Sequence, residues 1–170
     1  MKHVLCALML AMVGIGSALA SPPANLTSDS DPFVGAWKLN PQKSRYPRGA
    51  CPRDMIIVME KAGTGIHYHS ETTYADGRFA RADYTAQYDG PEVLVTGSTG
   101  LLLPVSLKRV DSHTVIARYS RGLQAVATSR RVVSRDGRFM TVTTTSPDSS
   151  GRSFTSVGVY ERTGRAGGGQ

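Results

Sequence analysis

Two cysteines, one tryptophan and four histidines are all that 170 residues hold of those three types. Cys6 lies in the apolar N-terminal stretch, so Cys51 is the one cysteine beyond it. No internal disulfide can brace the mature chain, and a lone thiol in an exported protein is either free or paired between chains. Pro52 follows Cys51, which suits a loop thiol. Enzyme motifs are missing too. There is no Gly-x-Ser-x-Gly, no phosphate loop and no His-Glu-x-x-His. Gly97 to Leu103 (GSTGLLL) is glycine-rich but lacks the Lys-Ser/Thr that a phosphate loop needs. No pairing of carboxylates points to a hydrolase. The chain reads as non-catalytic, with no cofactor.

Aromatic residues make up 7% of the chain, too few for a base-stacking platform. Basic residues outnumber acidic ones by 20 to 13, yet they are scattered and form no run or basic helix. Nucleic-acid binding is therefore not expected. Attraction to small anions or to an anionic cell surface fits the charge better.

Past the N-terminus there is no long apolar run. At the N-terminus, Lys2 and His3 precede an apolar stretch from Val4 to Ile15, then Ala18-Leu19-Ala20 and Ser21-Pro22-Pro23. That order reads as a secretory signal cleaved after Ala20. The stretch is too short to favour a membrane anchor. The expected location is the periplasm or the extracellular space, with no stable membrane insertion after cleavage. The remaining 150 residues suit one domain. Residues 21–31 (SPPANLTSDSD) read as a disordered lead-in, 32–163 as the domain and 164–170 (GRAGGGQ) as a flexible tail.

A sustained apolar period of 3.6 is also lacking, so little helix is expected. In its place are short β-rich runs separated by turn signals. These include Ala62-Gly63-Thr64-Gly65, Asp76-Gly77, Asp89-Gly90-Pro91, Gly97-Ser98-Thr99-Gly100, Asp136-Gly137 and Pro147 to Gly151. Asp-Gly recurs because both residues tolerate positive φ in tight hairpins. The spacing predicts strands near 33–39, 53–61, 66–74, 78–88, 92–96, 103–110, 113–120, 123–134, 138–146 and 153–162. The expected fold is all-β: an antiparallel up-and-down meander barrel of eight to ten strands, closed because closure removes exposed edges.

Alternation assigns the faces. One face collects Val115, Ala117 and Tyr119. Another collects Ala80, Ala82, Tyr84, Ala86 and Tyr88. A third collects Leu123, Ala125, Ala127, Ser129 and Arg131. Small and hydroxylated residues facing inward leave room for a cavity, where a tight sandwich would use more Leu, Ile and Phe. His67, His69 and Glu71 share one strand face and read as a solvated polar surface; no metal site is expected.

Phe33 to Leu39 (FVGAWKL) holds the single tryptophan in Gly35-Ala36-Trp37, followed by Lys38-Leu39. Near the other end stands Val159-Tyr160-Glu161-Arg162. Before it comes Arg131-Val132-Val133-Ser134-Arg135-Asp136-Gly137, an arginine and a short run closing on Asp-Gly. Together these resemble the first strand and the last three strands of the calycin superfamily, the fatty-acid-binding proteins and lipocalins, and small exported lipocalin-like proteins of bacteria. The resemblance implies a barrel in which Gly35 bends the chain and Trp37 closes one end. It also implies that Arg131 and Tyr160 point inward as ligand anchors. Tyr84, Tyr88 and Tyr119 are expected to line the same interior. Three departures stand out. The run from Arg131 to Asp136 is one residue longer than in the family's hairpin. The link from Asn40 to Pro52 is too short for the helical lid of fatty-acid-binding proteins. Gly158 occupies the place of the arginine in their Arg-x-Tyr clamp.

The expected function is an exported carrier or binding protein holding a small apolar or anionic molecule inside the barrel. The alternative is an inhibitor of a protease or lysozyme acting through a basic loop, Ser44 to Arg53, with loop 40–52 as the contact for a protein partner. A structural role in the envelope with no ligand is a third reading.

Overall fold

The computed structural model describes residues 31–47, 50–98, 102–147 and 150–164. The expected signal, most of the expected lead-in and the tail after Gly164 lie outside the described residues. Ten strands follow one another: β1 (Gly35–Leu39), β2 (Pro52–Ala62), β3 (Gly65–Tyr74), β4 (Phe79–Gln87), β5 (Thr96–Gly97), β6 (Val105–Asp111), β7 (Thr114–Arg121), β8 (Gln124–Val133), β9 (Phe139–Pro147) and β10 (Ser153–Gly164). Among the described residues the helical content is a single 3-10 turn, Pro41–Lys43.

The strand order is β5-β4-β3-β2-β1-β10-β9-β8-β7-β6, and the paired strands run antiparallel. The first strand thus pairs with the last, Leu39 opposite Tyr160, and the meander curls into a half-barrel. The two far sides of the sheet meet through residues 88–93. Asp89 N donates to Leu107 O at 2.7 Å, and Val93 and Val105 exchange backbone bonds of 2.9 and 2.8 Å. This explains the largest difference from the expected strands. The run near 92–96 bridges to β6 and leaves only Thr96–Gly97 paired with β4. Its backbone groups are satisfied across the gap, not along a regular ladder.

A second difference lies in β8. Alternation puts Leu123 and Ala125 inward with Ala127, but both are exposed, Leu123 fully so. Register shifts between Tyr119 and Ser120, so Tyr119 pairs with Ala127 while Ser120 pairs with Ala125. A bulge there reverses the faces beyond it, and Leu123 falls in the turn. Ala127, Ser129 and Arg131 are buried as alternation predicts.

The interior is stratified. At one end Phe33, Trp37, Met59, Ile66, Leu107, Val115, Val133 and Met140 are fully buried. Gly35 sits there with φ +144°, and a Cβ on it would collide with Arg162 Nη1. The arginine occupies the space a side chain would need. Its guanidinium lies over the Trp37 ring, 4.1 Å from the centroid. It also donates to the carbonyls of Pro32 (2.6 Å), Val34 (2.7 Å) and Gly137 (2.6 Å). Trp37 Nε1 donates to Phe33 O at 3.0 Å. One end of the sheet is thereby stapled shut by a ring, a cation and backbone carbonyls.

Candidate functional site

Toward the other end the inward residues change character, and a cavity of about 250 Å³ opens. Alternation along each strand positions its lining. β3 presents Tyr68, Ser70 and Thr72; β4 presents Ala80, Ala82 and Tyr84; β7 presents Tyr119; β8 presents Ser129 and Arg131; β9 presents Val142 and Thr144; β10 presents Ser156 and Tyr160. The link between β1 and β2 adds Tyr46.

Arg131 is 3% exposed. It reaches from β8 across to β4, where Nη2 donates to Tyr84 Oη at 2.8 Å; the same atom donates, more weakly, to Tyr119 Oη on the neighbouring β7 at 3.4 Å. Its guanidinium stands over the Tyr68 ring at 4.7 Å, and Tyr68 in turn stacks on Tyr84 at 4.7 Å with 13° between planes. Burial is the largest influence on Arg131 and works against its charge. The phenols of Tyr84, Tyr119 and Tyr68 outweigh it, and the net direction is upward, so the group stays a cation. Its Nη1 is buried without a hydrogen-bond partner among the described residues. No carboxylate among them forms an ion pair with it. Burial also pushes the phenols of Tyr68, Tyr84 and Tyr160 upward, so they remain neutral.

Of the residues singled out in the sequence, Arg131, Tyr84, Tyr119 and Tyr160 meet around this cavity. Tyr160 donates to Met55 Sδ at 3.1 Å. Tyr88 does not line the cavity. It packs under the Arg109 guanidinium at 3.8 Å, near Asp31, and burial followed by that carboxylate pushes its phenol upward. The chain leaves regular pairing after Gln87, so the alternation that places Tyr84 inward no longer carries Tyr88 to the same space. Gly35 and Trp37 stand at the stapled end, away from the cavity lining.

Sequence reasoning missed Tyr46. The link carrying it is tied to β10, with Arg45 and Val157 exchanging two backbone bonds of 2.7 Å. A Cβ on Gly158 would lie 2.7 Å from Tyr46 Oη and 2.8 Å from Tyr160 Cε2. The missing side chain at position 158 is what admits the Tyr46 hydroxyl. A phenol delivered from the link thus occupies the space beside Tyr160 that a side chain at position 158 would need. The signal was the glycine itself, since a gap beside a buried tyrosine needs a filler. Arg162 was also missed, although it follows Tyr160 by two residues and therefore shares its face.

Gly158→Ala is expected to destabilise the protein by roughly 1–3 kcal/mol through overpacking. Tyr46→Ala in the same chain should recover part of that loss. Thermal melts of the two single variants and the double variant check it; simply additive costs would show that Tyr46 is not what the new methyl meets.

His67 and His69 lie on the outer face of the sheet. His67 Nε2 is 3.1 Å from Asp83 Oδ1, His69 Nδ1 is 2.9 Å from Asp83 Oδ2, and His69 Nε2 is 3.5 Å from Glu71. Among the described residues no group of three or more His, Cys, Asp and Glu is arranged to hold a metal ion. For Asp83 the largest influence is burial, which raises its pKa. The hydrogen bond from His69 and the charges of both histidines more than reverse it, and the net direction is down. A lowered carboxylate contributes stability above the unfolded value, about 3.9, and loses it as pH falls through the folded value. Asp83→Asn is therefore expected to flatten the acid limb of the stability profile below about pH 4. Urea melts at a series of acidic pH values check this, and an unchanged limb would remove Asp83 from the account.

Among the described residues no helix is long and apolar enough to cross a membrane. No family model matches the chain, and no curated protein matches it.

Proposed function

We propose that the protein is an exported, non-catalytic binding protein that holds a small anionic molecule in this cavity. One observation carries the reading: Arg131 is buried as a cation, faces the cavity, and has Nη1 unpartnered among the described residues. A buried guanidinium with no carboxylate beside it is costly, and a carboxylate or similar anion held in the cavity next to Arg131 offsets that cost. The neutral phenols of Tyr84 and Tyr160 can accept or donate beside it. The apolar residues Met55, Ile57 and Val142 supply the rest of the wall, as in small-molecule sites generally.

The loop-mediated inhibitor reading has less support. Within residues 44–53, Arg45 is tied to β10 and Tyr46 turns into the cavity, so these two are spent on the fold. Native mass spectrometry of the protein purified from its own envelope separates the readings. The expected result is a bound small molecule released on denaturation. A protein that emerges empty and captures another protein would favour the inhibitor instead.

A further inference from the structure

We propose that the ligand is a compact, polyhydroxylated carboxylate of about one ring, and not a fatty acid. The inference rests on the binding-protein reading and concerns the body of the ligand, where that reading concerns its charged end.

Arg131 and the phenols it touches mark one end of the cavity. Moving away from that layer, β3 continues from Tyr68 to Ser70 and Thr72, two and four residues on. On the far wall, Ser129 precedes Arg131 by two residues, pairs with Thr144, and Thr144 pairs with Ser156. All five small hydroxyl residues line the cavity. Ser129 and Thr144 bond each other at 2.7 Å. β3 and β8 stand five places apart in the strand order, so the hydroxyls form a collar on opposed walls.

An anion held beside the Arg131 guanidinium must pass its body through that collar. An alkyl chain there would strip water from the hydroxyls and return no hydrogen bond, leaving those without a protein partner unmet. A hydroxylated body replaces the water bond for bond, as sites built to bond a substrate hydroxyl require. Size agrees. The cavity of about 250 Å³ falls below the roughly 300–1,000 Å³ of sites for drug-sized ligands. Tyr46, across the gap at Gly158, further narrows the path that a long chain would need.

The test is calorimetric titration of the purified full chain with glucuronate, quinate, glucose and decanoate. Glucuronate or quinate is expected to bind at least roughly tenfold more tightly than decanoate and than glucose, which lacks the carboxylate. Thr72→Val combined with Ser156→Ala should weaken the hydroxy acid by about fivefold or more and leave decanoate unchanged or tighter. Decanoate binding most tightly, or no hydroxy acid binding at all, would overturn the inference. If decanoate binding is lost in Arg131→Leu, the binding-protein reading survives that failure. If no probe binds and the envelope-purified protein is empty, both fall together.

Discussion

Replacing Arg131 by leucine is expected to abolish ligand binding while leaving the ligand-free protein about as stable as the parent. Arg131 sits at 3% exposure with Nη1 unmet among the described residues. An unmet buried donor costs about 1–3 kcal/mol, more when charged. Against that stand one good hydrogen bond to Tyr84 and a longer one to Tyr119. Such bonds return about 0.5–1.5 kcal/mol each, up to about 3 to a charged group. Removing the guanidinium also gives up its contact over the Tyr68 ring and strands the Tyr84 hydroxyl, so the change comes out near neutral. For the ligand the balance is one-sided, because truncating one partner of a buried, hydrogen-bonded charge pair costs roughly 2–5 kcal/mol. That is about thirtyfold to several thousandfold in affinity. Urea denaturation of the ligand-free variant, together with titration of glucuronate, quinate and decanoate, reads both quantities. A variant that loses several kcal/mol yet binds as before would make Arg131 a structural residue. The combination of retained stability and lost binding is what a site that stores cost for its ligand produces.

Trp37→Ala is expected to cost about 3–5 kcal/mol, as deletion of a fully buried large side chain does. That is a large share of the roughly 5–15 kcal/mol typical of a domain. The loss is twofold. The indole is completely buried and its Nε1 holds Phe33 O. It is also the surface on which Arg162 lies while reaching three backbone carbonyls from two separate stretches of chain. Trp37→Phe keeps a ring beneath the guanidinium and should cost less. Chemical denaturation of both variants gives the order. Equal losses in the two would show that the indole N–H, and not the ring, carries the contribution. Because Trp37 is outside the cavity lining, ligand affinity in the folded fraction should not change.

Much of this architecture was legible in the chain. The hairpin beat marked nine of the ten strands closely, because Asp-Gly and related turns demand backbone angles that few other residues adopt. Period-two alternation placed Ala117, Tyr119, Ser129 and Arg131 inside, because neighbouring residues of a strand must face opposite ways. Tyr88 packs against the core as alternation predicts, but outside the cavity lining. Alternation failed at Leu123, past a bulge, because it holds only while the ladder is unbroken, and a bulge is a property of two strands together. The short β5 was hidden for a similar reason, since residues 88–93 bond to a partner far along the chain.

By itself the sequence determined the local matters: an all-β meander, its turns and the inward faces of unbroken strands. These follow from backbone sterics and side-chain periodicity, which act over a few residues. Tertiary structure alone decided which inward groups meet. It set the Arg131 guanidinium against Tyr84 from across the sheet, left Nη1 unmet among the described residues, and laid Arg162 on Trp37. It also turned the absence of a side chain at Gly158 into a place for Tyr46. Those contacts depend on how far the sheet curls and where its register shifts, and many distant pairings set both at once.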